Sequence, residues 1–328
     1  MNLISLEEIN RASAFIEPFI LQTPLEEAPG LTPGPDGGSF LKLENLQVTG
    51  SFKIRGALYK LGRLRSEGVD SVITSSAGNH GWAMAMAGKW FNCSVEVFVP
   101  ASIDEAKCRG MAALGARIVK CPGPGYDEAQ EIALEASHTR GVPFVSPYDD
   151  EMIMAGNGGT LGLEILRQFP GAGSILFPVG GGGLGAGLAS CIRQKKPGVR
   201  LIGCQHRESP ALALSLAGGE AVTSLPAIET IAGGIEGGIG ARTFAILRHT
   251  IDQVALVGED ELKKAILWLI RHHRYLVEAS GAAPLAACLF HPDLDIPGPA
   301  VLVLTGRNIG LPTLASIIRE ELCPVDKY

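Results

Sequence analysis

Blocks of apolar residues with a strand-like or helix-like period alternate along most of this chain. Val72-Ile73-Thr74 predicts a short strand, and Gly81 to Lys89 a helix. Val95 to Val99 predicts a strand, Asp104 to Leu114 a helix, Arg117-Ile118-Val119 a strand, Tyr126 to His138 a helix and Val142 to Val145 a strand. The alternation resumes with strands at Ile175 to Val179 and Leu201 to Cys204, and helices at Pro210 to Leu216 and Glu259 to Arg274. Ala300 to Leu304 is apolar throughout, as in a strand covered on both faces, and Leu314 to Glu321 predicts a closing helix. Proline- and glycine-rich stretches at 28–38, 122–125 and 292–299 read as loops, as does Ala155 to Thr160. The expected fold class is therefore α/β: two open, mostly parallel sheets with a ligand cleft between them.

Composition narrows the function. Hydrophobic residues make up 46% of the 328 and charged residues 19%, enough to build a sizeable core and too apolar for disorder. The net charge is −6 with no basic stripe, so nucleic acid is not an expected partner. Seven cysteines, an odd number without a C-x-x-C pair, fit a reduced, intracellular protein, expected to be cytoplasmic, with no cysteine metal site. No basic-then-apolar leader opens the chain. Ser174 to Ile192 is uncharged, but Pro178 and six glycines argue against a membrane span.

Four local patterns carry chemistry. Lys53 follows Gly50-Ser51-Phe52, read as a turn and cap, and opens a helical run in which Ile54, Ala57, Leu58, Leu61 and Leu64 recur. It reads as a surface lysine or as a Schiff-base former whose amine is freed by desolvation. Gly180, Gly181, Gly182 and Gly183, followed by Leu184, lie between an apolar strand and a helix. Such a turn aims N–H groups and a positive helix end at one phosphate. It lacks the lysine and hydroxyl of a P-loop. Ser76, Ala77, Gly78, Asn79 and His80 also link a strand to a helix and suit a carboxylate, although His80 alone reads as a packed or capping residue. Thr305 ends the last apolar strand, either as a neutral hydroxyl facing a ligand or as a cap.

These motifs, in this order and over nearly the whole chain, resemble the fold-type II pyridoxal-phosphate enzymes, specifically the serine/threonine dehydratase and serine racemase group. The resemblance implies that Lys53 holds pyridoxal 5′-phosphate covalently, with Phe52 against it. Asn79 would reach the cofactor's O3′, Gly180 to Gly183 and Leu184 its phosphate, and Thr305 its pyridine nitrogen. Ser76 to His80 would hold the substrate carboxylate. A neutral hydroxyl at the nitrogen weakens the electron sink and favours rapid β-elimination. The implied reaction is α,β-elimination from a 3-hydroxy amino acid, L-threonine or L-serine first, giving a 2-oxo acid and ammonia. Lys53 would act as base. The resemblance further implies a homodimer or homotetramer. The expected division is a large domain of 1–47 and 148–328 and a small domain of 48–147.

Departures from the pattern refine the reading. Ala77 stands where racemases carry a second acid/base serine, which argues for elimination over racemisation. Gln205 and Ala211 replace carboxylate ligands of a cation site found in many members, leaving Glu208 as a shifted ligand at most. The Ala155–Thr160 loop is one residue longer than the family pattern, Arg307 stands where glycine is common, and Glu278 matches a glutamate near the site or serves as a cap. The close of the chain at Tyr328 leaves no expected regulatory domain. Alternatives are a dehydratase for a hydroxyectoine-derived amino acid or a phenylserine, a serine racemase, a β-replacement enzyme, and, from another class, a non-enzymatic phosphate binder.

Overall fold

The run at Ser174–Pro178 becomes a strand buried throughout, and Glu259–His273, apolar along one stripe, becomes a helix. The structure is a computed structural model that describes residues 3–31, 37–101, 103–123 and 126–322. The chain end at Tyr328, Cys323 and parts of the 28–38 and 122–125 loops lie outside the described residues. The chain begins with α1 (Leu6–Ile16), β1 (Leu25–Glu27), β2 (Ser39–Lys42), α2 (Lys53–Ser66), β3 (Ser71–Ser75), α3 (Asn79–Phe91) and β4 (Ser94–Pro100). It continues through α4 (Glu105–Ala113), β5 (Arg117–Cys121), α5 (Tyr126–Arg140), α6 (Glu151–Met154), α7 (Thr160–Gln168), β6 (Ser174–Pro178) and α8 (Gly183–Lys195). The remaining elements are β7 (Arg200–His206), α9 (Ala211–Gly218), α10 (Ala241–Leu247), β8 (Gln253–Val257), α11 (Glu259–His273), α12 (Ala279–Phe290), β9 (Ala300–Val303) and α13 (Leu311–Leu322).

The strands form two sheets. One has the order β1-β2-β9-β6-β7-β8 and the other β3-β4-β5. Only β1 runs antiparallel to its neighbour among the described strands. In the larger sheet Leu176 pairs with Ile202 on one side and Leu302 on the other, so β6 is central and wholly buried. Parallel sheets gather their ligand-facing turns at the carboxyl ends of the strands. The turns after β3, β6 and β9 carry Ser76, Gly180 and Thr305 respectively.

Three expectations need correction. Val142 to Val145 forms an isolated bridge, Ile73 to Phe144, not a strand. Pro143 has no N–H to donate, which limits the ladder there. Ala155 to Gly159 is not a loop but a single π-helical turn joining α6 to α7. The extra residue is absorbed inside one continuous helix, the usual form of a one-residue insertion. Finally, the helix at Lys53 begins after Phe52, and Ser51 does not cap it. Ser51 instead bridges to Gly306, and its Oγ is buried without a partner.

The segment from Ser174 to Ile192 is β6, the glycine turn and most of α8. No helix among the described residues is long and apolar enough to cross a membrane. The six described cysteines carry free thiols.

Candidate active site

The lysine turn is fixed by its neighbours. Gly50 has φ +74°, and a Cβ there would meet Asn308 Oδ1 at 2.6 Å, so glycine is required twice over. Phe52 N–H donates to Thr305 O at 3.1 Å and Arg307 N–H to Gly50 O at 2.9 Å. The lysine turn and the end of β9 therefore form one piece. Thr305 lies six residues before α13, so it is not that helix's cap. Its side chain is buried, and Oγ1 makes no hydrogen bond among the described residues.

Lys53 is the first residue of α2, and its Nζ donates to Pro147 O at 2.9 Å. It also lies 5.2 Å from the centre of the Phe52 ring. Burial draws the amine down to about 8, against an opposing pull from the Glu278 carboxylate. Of the two readings of Lys53, the surface lysine does not fit this environment.

The Ser76 turn is shaped from within. Ser76 Oγ accepts from Gly78 N–H at 3.2 Å and Gly81 N–H at 3.0 Å, which opens α3. Asn79 Nδ2 donates to Glu278 Oε1 at 2.6 Å, and Asn79 Oδ1 accepts from Asn308 Nδ2 at 2.7 Å. The amide is thereby oriented, with one N–H left over. Glu278 occupies the residue before α12, but its carboxylate goes to Asn79 instead of capping the helix. Burial pushes that carboxyl above the usual range, although the Asn79 bond and the charges of Lys107 and Lys53 oppose the rise. The His80 side chain does not face outward: it is 3% exposed, with Nε2 3.1 Å from Thr74 Oγ1. Burial and then the Lys53 charge hold it well below the usual imidazole range, so it is neutral.

The glycine turn is a cradle that side chains would fill. A Cβ at Gly180 would overlap Gly234 O, and one at Gly181 the Tyr148 ring. At Gly182 it would lie 2.7 Å from Thr243 Oγ1, and at Gly183 2.8 Å from Tyr148 O. Gly182 has φ +88°, and Ala186 N–H is the first to reach back, to Gly182 O. The N–H groups of Gly183, Leu184 and Gly185 precede it and have no intrahelical acceptor, which suits a phosphate. The donor set, an amine between this turn and the oriented Asn79, fits pyridoxal 5′-phosphate.

Sequence reasoning missed two features. The first is the 145–149 segment, which supplies Pro147 O to Lys53 and Tyr148 to the glycine turn. The second is a buried charge cluster under α2. Arg55 pairs with Glu44 through two bonds of 2.7 Å and with Glu164 at 2.9 Å. Lys42 Nζ donates to Glu164 Oε1 at 2.5 Å, and Thr23 Oγ1 to Glu44 Oε1 at 2.6 Å. Burial works against the Arg55 charge, but Glu44 and Glu164 outweigh it and hold the guanidinium more firmly protonated.

The departures noted in the sequence also find places. Gln205 Oε1 accepts from Ala213 N–H at the start of α9, and Glu208 is exposed. The described residues contain no group of three or more His, Cys, Asp or Glu side chains arranged to hold a metal. Arg307 is exposed beside Gly50. The π turn is pressed between the lysine helix and the glycine-turn helix: a Cβ on Gly156 would meet Gly56 Cα at 2.7 Å, and one on Gly158 would overlap Leu184 O.

Comparison with known proteins places this architecture. Residues 16–306 match the family described as pyridoxal-phosphate dependent enzyme. An L-threonine ammonia-lyase of Geobacter sulfurreducens is 40% identical over 88% of this chain and 72% of its own. A catabolic L-threonine dehydratase of Staphylococcus aureus is 33% identical over 98% of this chain and 94% of its own. Serine racemase from Dictyostelium discoideum superposes with a TM-score of 0.85 at 30% identity, covering 94% of this chain and 99% of that one.

Proposed function

This chain belongs to the pyridoxal-phosphate dependent enzyme family and is a carbon–nitrogen lyase of its threonine/serine dehydratase group, and we propose that it acts first on L-threonine and next on L-serine. The observation that carries this reading is the desolvated Lys53 amine, bonded to Pro147 O beside the Tyr148 that backs the glycine turn and within reach of the Glu278 carboxylate that orients Asn79. Pyridoxal 5′-phosphate held there would supply an aldehyde for covalent linkage to the substrate amine and a sink for electron density from Cα.

The protein's own groups supply the rest. Lys53 anchors the cofactor and, with its amine near neutrality, moves the Cα proton as general base. Gly180 to Gly183 and Leu184 hold the phosphate through N–H groups at the start of α8. Asn79 offers its remaining N–H, already oriented by Glu278 and Asn308, to a phenolate. Thr305 would present a neutral hydroxyl to the cofactor's pyridine nitrogen, and Phe52 would lie against the cofactor. The N–H groups of Ser76 to His80, at the start of the 13-residue α3, bind the substrate carboxylate. Ala77 has no proton to give on the face opposite Lys53. That supports elimination over racemisation, although a serine racemase has the same fold.

The test is release of a 2-oxo acid and ammonia, with L-threonine and L-serine in a screen that includes phenylserine and hydroxyectoine-derived amino acids. No oxo acid from any of them would sink the lyase reading. A second expectation concerns pH. Covalent capture of added cofactor needs a neutral amine, and the Lys53 amine is drawn down to about 8. The capture rate should therefore rise with pH and level off above about 8. A rise that continues toward the ordinary lysine value of 10.5 would contradict the burial argument.

We also propose a large domain of 1–47 and 148–328 and a small one of 48–147, in a cytoplasmic homodimer or homotetramer. Sheet membership supports the division, since β3, β4 and β5 alone fall within 48–147. The free thiols fit a reducing compartment.

A further inference from the structure

The 145–149 segment meets β3, the lysine and the glycine turn. Val145 O accepts from Thr74 Oγ1 at 2.8 Å, and Pro147 O accepts from Lys53 Nζ at 2.9 Å. Tyr148 backs Gly181 and Gly183. Asp149 Oδ1 accepts from the N–H groups of Arg242 and Thr243, and Thr243 Oγ1 donates to Gly181 O at 2.7 Å. One strap thus meets the strand that leads into the substrate turn, the lysine and the phosphate cradle in five residues.

His80 governs the first of these contacts. A hydroxyl has one proton, and Thr74 spends it on Val145 O, which can only accept. Toward His80, 3.1 Å away, Thr74 must therefore accept, so the imidazole carries its proton on Nε2, where the Val145 backbone also meets the ring, and Nδ1 is buried without a partner. If His80 Nε2 were bare, Thr74 would turn its proton to the ring and leave two acceptors facing each other at 2.8 Å. The tautomer of His80 thus sets the direction of the Thr74 bond.

We propose that His80 is a positioning residue for Lys53: its Nε2–H, relayed through Thr74 Oγ1, fixes the strap whose Pro147 carbonyl holds the lysine amine opposite the glycine cradle. This goes beyond the substrate-turn role given to the His80 backbone, and it rests on the lyase reading of the site.

The test uses the full-length protein, with cofactor removed by hydroxylamine and pyridoxal 5′-phosphate added back. Covalent capture is followed by absorbance and by borohydride fixation on the Lys53 peptide. His80→Leu and Thr74→Val should slow capture about tenfold, the worth of one hydrogen bond. His80→Gln, which keeps a donor near the Nε2 position, and Thr74→Ser should stay close to wild type. Binding of pyridoxine 5′-phosphate, which has no aldehyde, should be unchanged in all four.

Capture at the wild-type rate in His80→Leu and Thr74→Val overturns the inference. So does an equal loss in the conservative pair, since bulk and not the hydrogen bond would then matter. Weakened pyridoxine 5′-phosphate binding overturns it too, because the cradle itself would have moved. If an apolar variant does not fold, His80→Asn, whose shorter amide falls short of Thr74, replaces it against His80→Gln under the same criteria. A wild-type chain that captures no cofactor overturns the lyase reading beneath; wild-type capture with no discrimination among variants overturns this inference alone.

Discussion

Lys53→Ala should abolish 2-oxo acid formation from L-threonine, lowering kcat/KM by at least about 10³-fold. The size of the effect follows from the two tasks assigned to one amine, cofactor anchoring and proton removal. The neighbouring groups are otherwise occupied: Ala77 is apolar, Ser76 Oγ is engaged by Gly78 and Gly81, His80 is directed to Thr74, and the Glu278 carboxylate accepts from Asn79. The fold should survive, because Lys53 is a first-turn residue whose one hydrogen bond goes to Pro147 O. The glycine cradle is held by its own contacts with Tyr148, Gly234 and Thr243, so the variant should still bind pyridoxal 5′-phosphate, though without covalent fixation by borohydride. A variant that retains turnover within tenfold of wild type would refute the role of Lys53. One that loses phosphate-ligand binding along with activity would instead point to a structural role.

The residues of this site differ in how far the sequence announces them. Lys53, the glycine turn and the Ser76–His80 turn each sit in a short motif at a strand-to-helix junction, where local spacing already implies chemistry. Their partners do not. Glu278 reaches Asn79 across 199 residues, and Glu164 reaches Arg55 across 109. Pro147 acts through a backbone carbonyl, which any residue could supply, so no side-chain signature marks it. The orientation of the His80 ring was open for the same reason: its partner Thr74 belongs to the preceding strand and reads there as an ordinary β residue. For the fold, long alternating stretches were legible, while β1, β2 and β8 were missed. The three residues of β1 are too few to show a period, and the π turn at Ala155 to Gly159 has loop-like composition inside a helix. Glycine there serves close packing between backbones, not flexibility.

The cluster beneath α2 should prove the most sensitive point of the fold. Arg55 stands two residues after Lys53 on the same helix and is 1% exposed, between Glu44 and Glu164. With Lys42 the four formal charges cancel, and Thr23 and Gln168 satisfy further polar atoms. A matched buried cluster adds little net stability, but removing one partner strands a charge away from water, at about 3–5 kcal/mol. Arg55→Met should therefore lower the unfolding free energy in urea by about that amount. It should also cut activity in the surviving fold, since α2 would lose its fixed seat and carry Lys53 with it. Adding Glu44→Gln to Arg55→Met removes the stranded carboxylate and should recover part of the stability. The pH dependence has a definite sign. Burial alone would raise the Glu44 carboxyl, but Arg55 outweighs it and the folded value lies below the ordinary 4.5. The Glu44 contribution is then fully present above that unfolded value and is lost as pH falls through the lower, folded one. Wild type should lose stability on acidification in that window, and a Glu44→Gln protein should lose less. If Arg55→Met unfolds within about 1 kcal/mol of wild type, the cluster is not the seat of the lysine helix.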